Sequence, residues 1–277
     1  MKKIFVLFII LSFAVFFTAC NQENPNIEIP VESETEMPEE TRKTVRVSVI
    51  DTGFSSKAIP AESIIPGKNY YHPEFSTEDT YGHGTAVASI ILEHAPESLL
   101  VPLISNVFED NKIHMVDNEV FAQMIRDAVD IYDCDIINIS AGLVLDKKEV
   151  RNACAYAEEK GVLVVASAGN DYDVNGEAMY YPAGYETVLA VGALNKNGSE
   201  IAYFSQRGEW VDVFAIGEDV TIGTLSGNTK TSSGSSYSAA KVAAIAVNIL
   251  RENPEIGLDE LKRLTVDEVK KAEPYYD

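Results

Sequence analysis

From residue 45 onward the chain alternates short apolar runs with longer stretches of helical period, and that alternation leaves few folds open. Residues 45–50 read as a strand that stops at Asp51-Thr52-Gly53. A helix is predicted over 83–93, a strand over 99–104, an amphipathic helix over 118–132 and an apolar strand over 135–139. Helical spacing returns over 146–160, with Gly161 as a C-terminal stop, and apolar strands follow at 162–166 and 187–191. A long helix of small residues begins near Ser236 and reaches about Arg251. Apolar strands separated by helices bury both of their faces in a mostly parallel sheet covered by helices on both sides, so the expected class is α/β. In such sheets functional groups gather beyond the carboxyl ends of the strands.

With 277 residues, 46% of them hydrophobic, the chain can build one large core. Its formal net charge of −21 repels polyanions, which argues against a nucleic-acid partner and against direct adsorption to anionic headgroups. After Cys20 only Cys134 and Cys154 remain, and both read as buried small hydrophobes rather than a bridge. No Cys/His spacing suggests zinc, and no cofactor is expected.

The N-terminus reads as a targeting segment over residues 1–19. Lys2 and Lys3 precede an apolar stretch, 4–17, that is shorter than the roughly 20 residues of a spanning helix. Thr18-Ala19-Cys20 resembles the lipobox of bacterial lipoproteins, although Phe17 stands where that motif usually has Leu. The resemblance implies a diacylglycerol on Cys20 and a domain held at the outer face of the cell membrane by its anchor; an ordinary secretory signal cut nearby is the other reading. Residues 20–44 carry Pro25, Pro30, Pro38 and seven Glu, too polar to order themselves, and read as an extended tether. Such a segment cannot form an inhibitory prodomain with a core of its own, so none is expected, and the folded domain is assigned to 45–277.

Three residues draw attention for their chemistry. Asp51 ends the first strand, where an Asp before Gly is commonly just a turn residue. His83 lies between Gly82 and Gly84, which let the backbone approach closely and leave the imidazole uncrowded. Ser236 sits in Gly234-Ser235-Ser236-Tyr237-Ser238, a segment that by itself reads as a helix cap. Taken in order, VSVIDTG, GHGTAVAS, INISAG, VVASAGN, YYPAGYETVLAVGA and GSSYSAAKVAA resemble the subtilisin-like serine peptidases, over roughly residues 45–265.

That resemblance implies a subtilisin-like fold and peptide-bond hydrolysis through an acyl-enzyme. Ser236 would be the nucleophile, His83 its base and Asp51 the group that orients and stabilises the imidazole. Asn170 would donate to the oxyanion beside the Ser236 backbone N–H. Ser140, Ala141 and Gly142 would pair with an extended peptide substrate, and Ala168 and Gly169 would form the opposite wall. Tyr237, Ser238, Ala240, Ala86 and Ile216 depart from the family's usual residues but remove no reacting atom. Asp171 and Tyr180, near the second wall, suggest a preference for basic or small residues at the scissile position. The short connection through His94-Ala95-Pro96 leaves no room for the calcium loop of many relatives, so little calcium dependence is expected. A processing role on a secreted peptide fits this reading. The rivals are an inactive peptide-binding scaffold on the same fold and an ester hydrolase, which lacks the Gly-x-Ser-x-Gly elbow.

Overall fold

The computed structural model describes residues 43–276. In chain order these form β1 (Arg46–Asp51), β2 (Lys68–Asn69), α1 (His83–His94), β3 (Leu99–Ile104), β4 (Asn106–Glu109), β5 (Lys112–Met115) and α2 (Asn118–Asp130). There follow β6 (Ile136–Ile139), α3 (Lys148–Glu159), β7 (Leu163–Ser167), the single turn α4 (Tyr172–Asn175) and β8 (Val188–Leu194). β9 (Val213–Ile216), β10 (Val220–Gly223), β11 (Thr229–Ser232), α5 (Ser235–Glu252) and α6 (Leu258–Ala272) complete the described chain.

Seven strands make one parallel sheet in the order β2-β3-β1-β6-β7-β8-β9. The α/β class expected from the sequence is the class observed. Successive side chains of a strand point to opposite faces, and the two cores follow that rule. Val47, Val49, Ile136, Val165, Val191 and Val213 meet α1 and α5 on one face. Ile50, Val101, Leu103, Ile137, Ile139 and Val164 meet α2 and α3 on the other. Because every interior strand is covered on both sides, its residues are apolar almost without interruption.

Helix ends are set by local chemistry. The Asp117 carboxylate accepts from the Val120 N–H at 2.8 Å and caps α2. α6 carries Asp259 and Glu260 in its first turn and Lys270 and Lys271 in its last, each matched to the helix dipole. α3 is slightly shorter than the expected 146–160, with Lys147 as its N-cap. α5 is lined with Ala239, Ala240, Ala243, Ala244 and Ala246, all fully buried, and these small side chains let it lie close to the sheet and to α1.

The chain passes from β1 to β3 on one side and later returns to β6 on the other, so the strand order reverses about β1. A crevice opens at such a reversal beyond the carboxyl ends of the strands. Asp51 ends β1, Ser140 follows β6, and Ala168 to Asn170 follow β7, all at that end of the sheet.

Candidate active site

Asp51 is 1% exposed and lies at the closed end of the crevice. Its Oδ1 accepts from the Thr52 N–H at 2.7 Å, and Oδ1 and Oδ2 lie 2.8 and 2.9 Å from His83 Nδ1. An ionised carboxylate can only accept, so Nδ1 carries the proton and Nε2 is left as the basic nitrogen. Burial alone would lower the imidazole pKa, but the charge of Asp51, its hydrogen bond and the further charge of Asp79 leave it raised.

One tight approach and a set of hydrogen bonds hold His83 in place. A Cβ on Gly84 would stand 2.4 Å from the Gly53 carbonyl oxygen, so only glycine lets the start of α1 dock against the end of β1. The Gly84 N–H then donates to Thr52 Oγ1 at 2.9 Å, and the Ser55 N–H to Thr85 Oγ1 at 3.0 Å. Asp79, which the sequence reading passed over, gathers the rest of the turn. Its Oδ1 accepts from the Tyr81 and Gly82 N–H groups at 2.9 and 2.8 Å, and its Oδ2 from the N–H and hydroxyl of Thr85 at 2.9 and 2.6 Å. An acid shortly before a Gly-His-Gly-Thr helix start was the signal available for it.

Ser236 occupies the first turn of α5. Its neighbours are committed elsewhere. Ser235 Oγ accepts from the Gly169 N–H at 3.2 Å, Ser238 Oγ donates to the Ala215 carbonyl at 2.9 Å, and Ser233 Oγ accepts from the Asp219 N–H at 3.0 Å. Among the described residues the Ser236 hydroxyl makes no hydrogen bond, to His83 or to any other group; such contacts are often loose before substrate arrives. Ser236, His83, Asn170, Ser140, Ala141 and Gly142 line one cleft of about 390 Å³.

Asn170 Oδ1 accepts from the Ser235 N–H at 2.7 Å. A backbone N–H requires the oxygen end of the amide, so the Nδ2 end is the free donor. Beside it the Ser236 N–H belongs to the first turn of α5, where backbone donors have no helical partner and the helix dipole is positive. Ser140 Oγ donates to the Ser236 carbonyl at 3.4 Å and ties the first wall to α5. Ala168 is fully buried, and Gly169, at φ 116°, backs onto the Tyr180 ring, so of that segment only Asn170 faces the open cleft.

Tyr237, one of the departures from the family's usual residues, packs with its ring centroid 6.1 Å from that of His83. Its hydroxyl lies 3.1 Å from Ser232 Oγ, within a second cleft of about 550 Å³ beside the imidazole, and it does not line the cleft that holds Ser236. Cys134 and Cys154 are free and buried, and burial pushes both thiols up to about 12, which makes them inert. Among the described residues no group of three or more His, Cys, Asp or Glu side chains is arranged to hold a metal ion. Cys20 lies outside the described residues.

A buried carboxylate–imidazole pair and a free serine hydroxyl on a helix start, facing each other across the crevice of a parallel sheet, outline a serine-nucleophile site. The model of the subtilase family, peptidase S8, matches residues 42–276, and the chain belongs to that family. It is 33% identical over 230 residues to the minor extracellular protease Epr of Bacillus subtilis (strain 168), a match covering 77% of this chain and 33% of Epr. It is 32% identical over 221 residues to the thermophilic serine proteinase of Bacillus sp. (strain AK1), covering 76% of this chain and 54% of that protein. The chain therefore spans only about a third to a half of these two relatives. Subtilisin BL of Lederbergia lenta is 32% identical over 220 residues, covering 77% of this chain and 79% of its own. Among solved structures, sphericase superposes with a TM-score of 0.71 at 25% identity, covering 83% of this chain and 84% of its own. A lanthipeptide protease superposes with a TM-score of 0.70 at 22% identity, covering 81% of each chain, a likeness of fold.

Proposed function

We propose that this chain is a serine endopeptidase that hydrolyses peptide or protein substrates outside the cytoplasm, through an acyl-enzyme formed on Ser236. The observation that carries the reading is the free Ser236 hydroxyl in the same cleft as His83, while the serines on either side spend theirs on the scaffold. In the reaction His83 Nε2 takes the hydroxyl proton as Ser236 Oγ attacks the scissile carbonyl. The imidazolium is held by Asp51, and the proton passes to the departing amine. Charge gathers on the carbonyl oxygen, where Asn170 Nδ2 and the Ser236 N–H are ready to donate without reorganisation. Water then repeats the cycle on the ester. Base, nucleophile and donors all belong to the chain, and the chemistry as written uses no cofactor.

The substrate lies extended along Ser140, Ala141 and Gly142, adding a strand whose backbone bonds do not depend on sequence. The protease names of the relatives support the activity. The signal-like start and Cys20 support an anchored position at the outer face of the membrane; no helix of the described residues is long and apolar enough to cross one. A processing role on one secreted peptide is the finer form of this reading.

Labelling with a fluorophosphonate tests it. Wild type takes the label; S236A and H83A do not, while S235A and S238A keep it. S236A loses kcat by roughly 10⁶-fold, the scale known for subtilisin itself. A wild type that takes no label and cleaves nothing in a broad peptide library would leave the inactive binding scaffold as the function, and labelling that moves with Ser235 would overturn the choice of nucleophile.

A further inference from the structure

Between the two segments that flank Ser236 lies a slot built from glycines, and it is already filled. Gly142 and Gly169 face each other without side chains, which would leave a channel for a substrate side chain. The ring of Tyr180 occupies it. A Cβ on Gly142 would stand 3.6 Å from Tyr180 Cβ and 3.8 Å from Cδ1, and a Cβ on Gly169 would stand 2.8 Å from Cδ2 and 3.3 Å from Cε2. One edge of the ring thus rests on each glycine. The open cleft reaches Gly142 and Asn170 and does not extend into the slot that Tyr180 fills.

The ring is held at both ends. Next to its backbone, Tyr181 and Leu143 exchange N–H···O bonds of 2.9 and 2.6 Å, which fasten this segment to the Ser140–Gly142 wall. At the far end the Tyr180 hydroxyl donates to Asp171 Oδ2. Asp171 also accepts from Asn175 Nδ2 at 2.5 Å and, through Oδ1, from Gln206 Nε2 at 2.9 Å. Gln206 is fully buried, its Oε1 accepts from the Ala178 N–H at 3.0 Å, and its own N–H donates to the Gly169 carbonyl at 3.0 Å. The chain of bonds from Gly169 through Gln206 and Asp171 returns to the ring it locks. Both Asp171 oxygens are committed to neutral donors inside this chain. A carboxylate so engaged is a support for Tyr180.

We propose that Tyr180 is a specificity-determining residue that plugs the side-chain pocket beside the scissile bond, so that the residue contributing the cleaved carbonyl is glycine, alanine or serine. The proposal rests on the endopeptidase reading and on Ser140–Gly142 as a substrate wall. A larger side chain would have to displace a ring packed against two backbones and break its link to a network anchored on the buried Gln206, and packed segments do not give way to added volume without cost.

The full chain would be tested with peptides identical except for Gly, Ala, Ser, Leu, Phe or Lys at that position, with fluorophosphonate labelling as a parallel measure of the nucleophile. For wild type, kcat/KM after Ala exceeds that after Leu, Phe or Lys on the order of 10²-fold. Y180G still takes the label, and its kcat/KM for Leu and Phe relative to that for Ala rises on the order of 10²-fold. Y180F, which keeps the ring and loses only the bond to Asp171, keeps the wild-type ranking. Wild type that labels and cleaves after Phe or Lys as readily as after Ala overturns the plug while leaving the peptidase standing, as does a labelled Y180G with an unchanged ranking. Absence of labelling in wild type would instead overturn the peptidase reading, and the plug with it. Inhibition by peptide aldehydes ending in Ala or Phe reads the same pocket in wild type alone, and equal inhibition by the two refutes the proposal even if Y180G does not fold.

Discussion

Asp51 acts on His83 in a way that separates the pH dependence of activity from that of stability. Burial lowers the imidazole pKa, and the adjacent carboxylate more than restores it, so in the fold it lies above its ordinary 6.5. A general base must be unprotonated, so kcat/KM rises only as pH passes this raised value, and the rising limb lies above 6.5. Stability runs the other way. A group whose pKa is raised by folding contributes stability that is fully present below the unfolded value and is lost as pH climbs through the folded one. The Tm difference between wild type and H83Q is therefore expected to be greatest below pH 6.5 and to shrink above it. D51N removes both the charge and the acceptor that fixes the tautomer. Its kcat/KM falls on the order of 10⁴-fold, and its remaining rising limb moves to lower pH. A D51N profile with the wild-type limb would show that Asp51 does not set the imidazole pKa.

The docking of α1 against the end of β1 is what turns two distant sequence segments into a pair of hydrogen-bonded side chains. G84A would place a methyl group 2.4 Å from a backbone oxygen that belongs to a buried turn and cannot rotate away. It is expected to cost about 1–3 kcal/mol in stability. By moving His83 from Asp51 it should also lower kcat/KM on the order of 10²-fold, measurable with thermal unfolding and kinetics on the same sample. Retained activity at unchanged Tm would mean the turn has more room than its geometry indicates. The glycines around His83 were legible in the sequence because close approach demands them, and β3 was legible because a strand buried on both faces is apolar throughout. Asp51, His83, Ser236 and Asn170 were legible only as an ordered set. Other parts were not. The exposed hairpins β4–β5 and β10–β11 carry no strong period, and the short β9 is an apolar run without flanking pattern. The tie between Gln206 and Asp171 joins residues that come together only by tertiary packing.

On the scale of the whole molecule, charge and anchorage come forward. The chain's net charge of −21 is expected to repel anionic lipid and to slow encounter with acidic peptides, so the proposed anchor would have to hold the domain at a membrane without help from its surface charge. C20S is expected to release the protein into the medium or leave it unprocessed, with unchanged activity per molecule, as read by fractionation and fluorophosphonate labelling; retention in the membrane fraction at the wild-type level would refute the lipid anchor. Ser236 lies in the first turn of the helix about which the larger core is assembled, and the side chains of that helix are buried from that turn. Amides in so enclosed a segment are expected to exchange with water chiefly through global opening, which hydrogen exchange on the folded domain would read. Above the pH at which His83 loses its proton, peptidase activity surviving heat or urea is therefore expected to track the fraction of molecules still folded, as read by activity and unfolding on one sample.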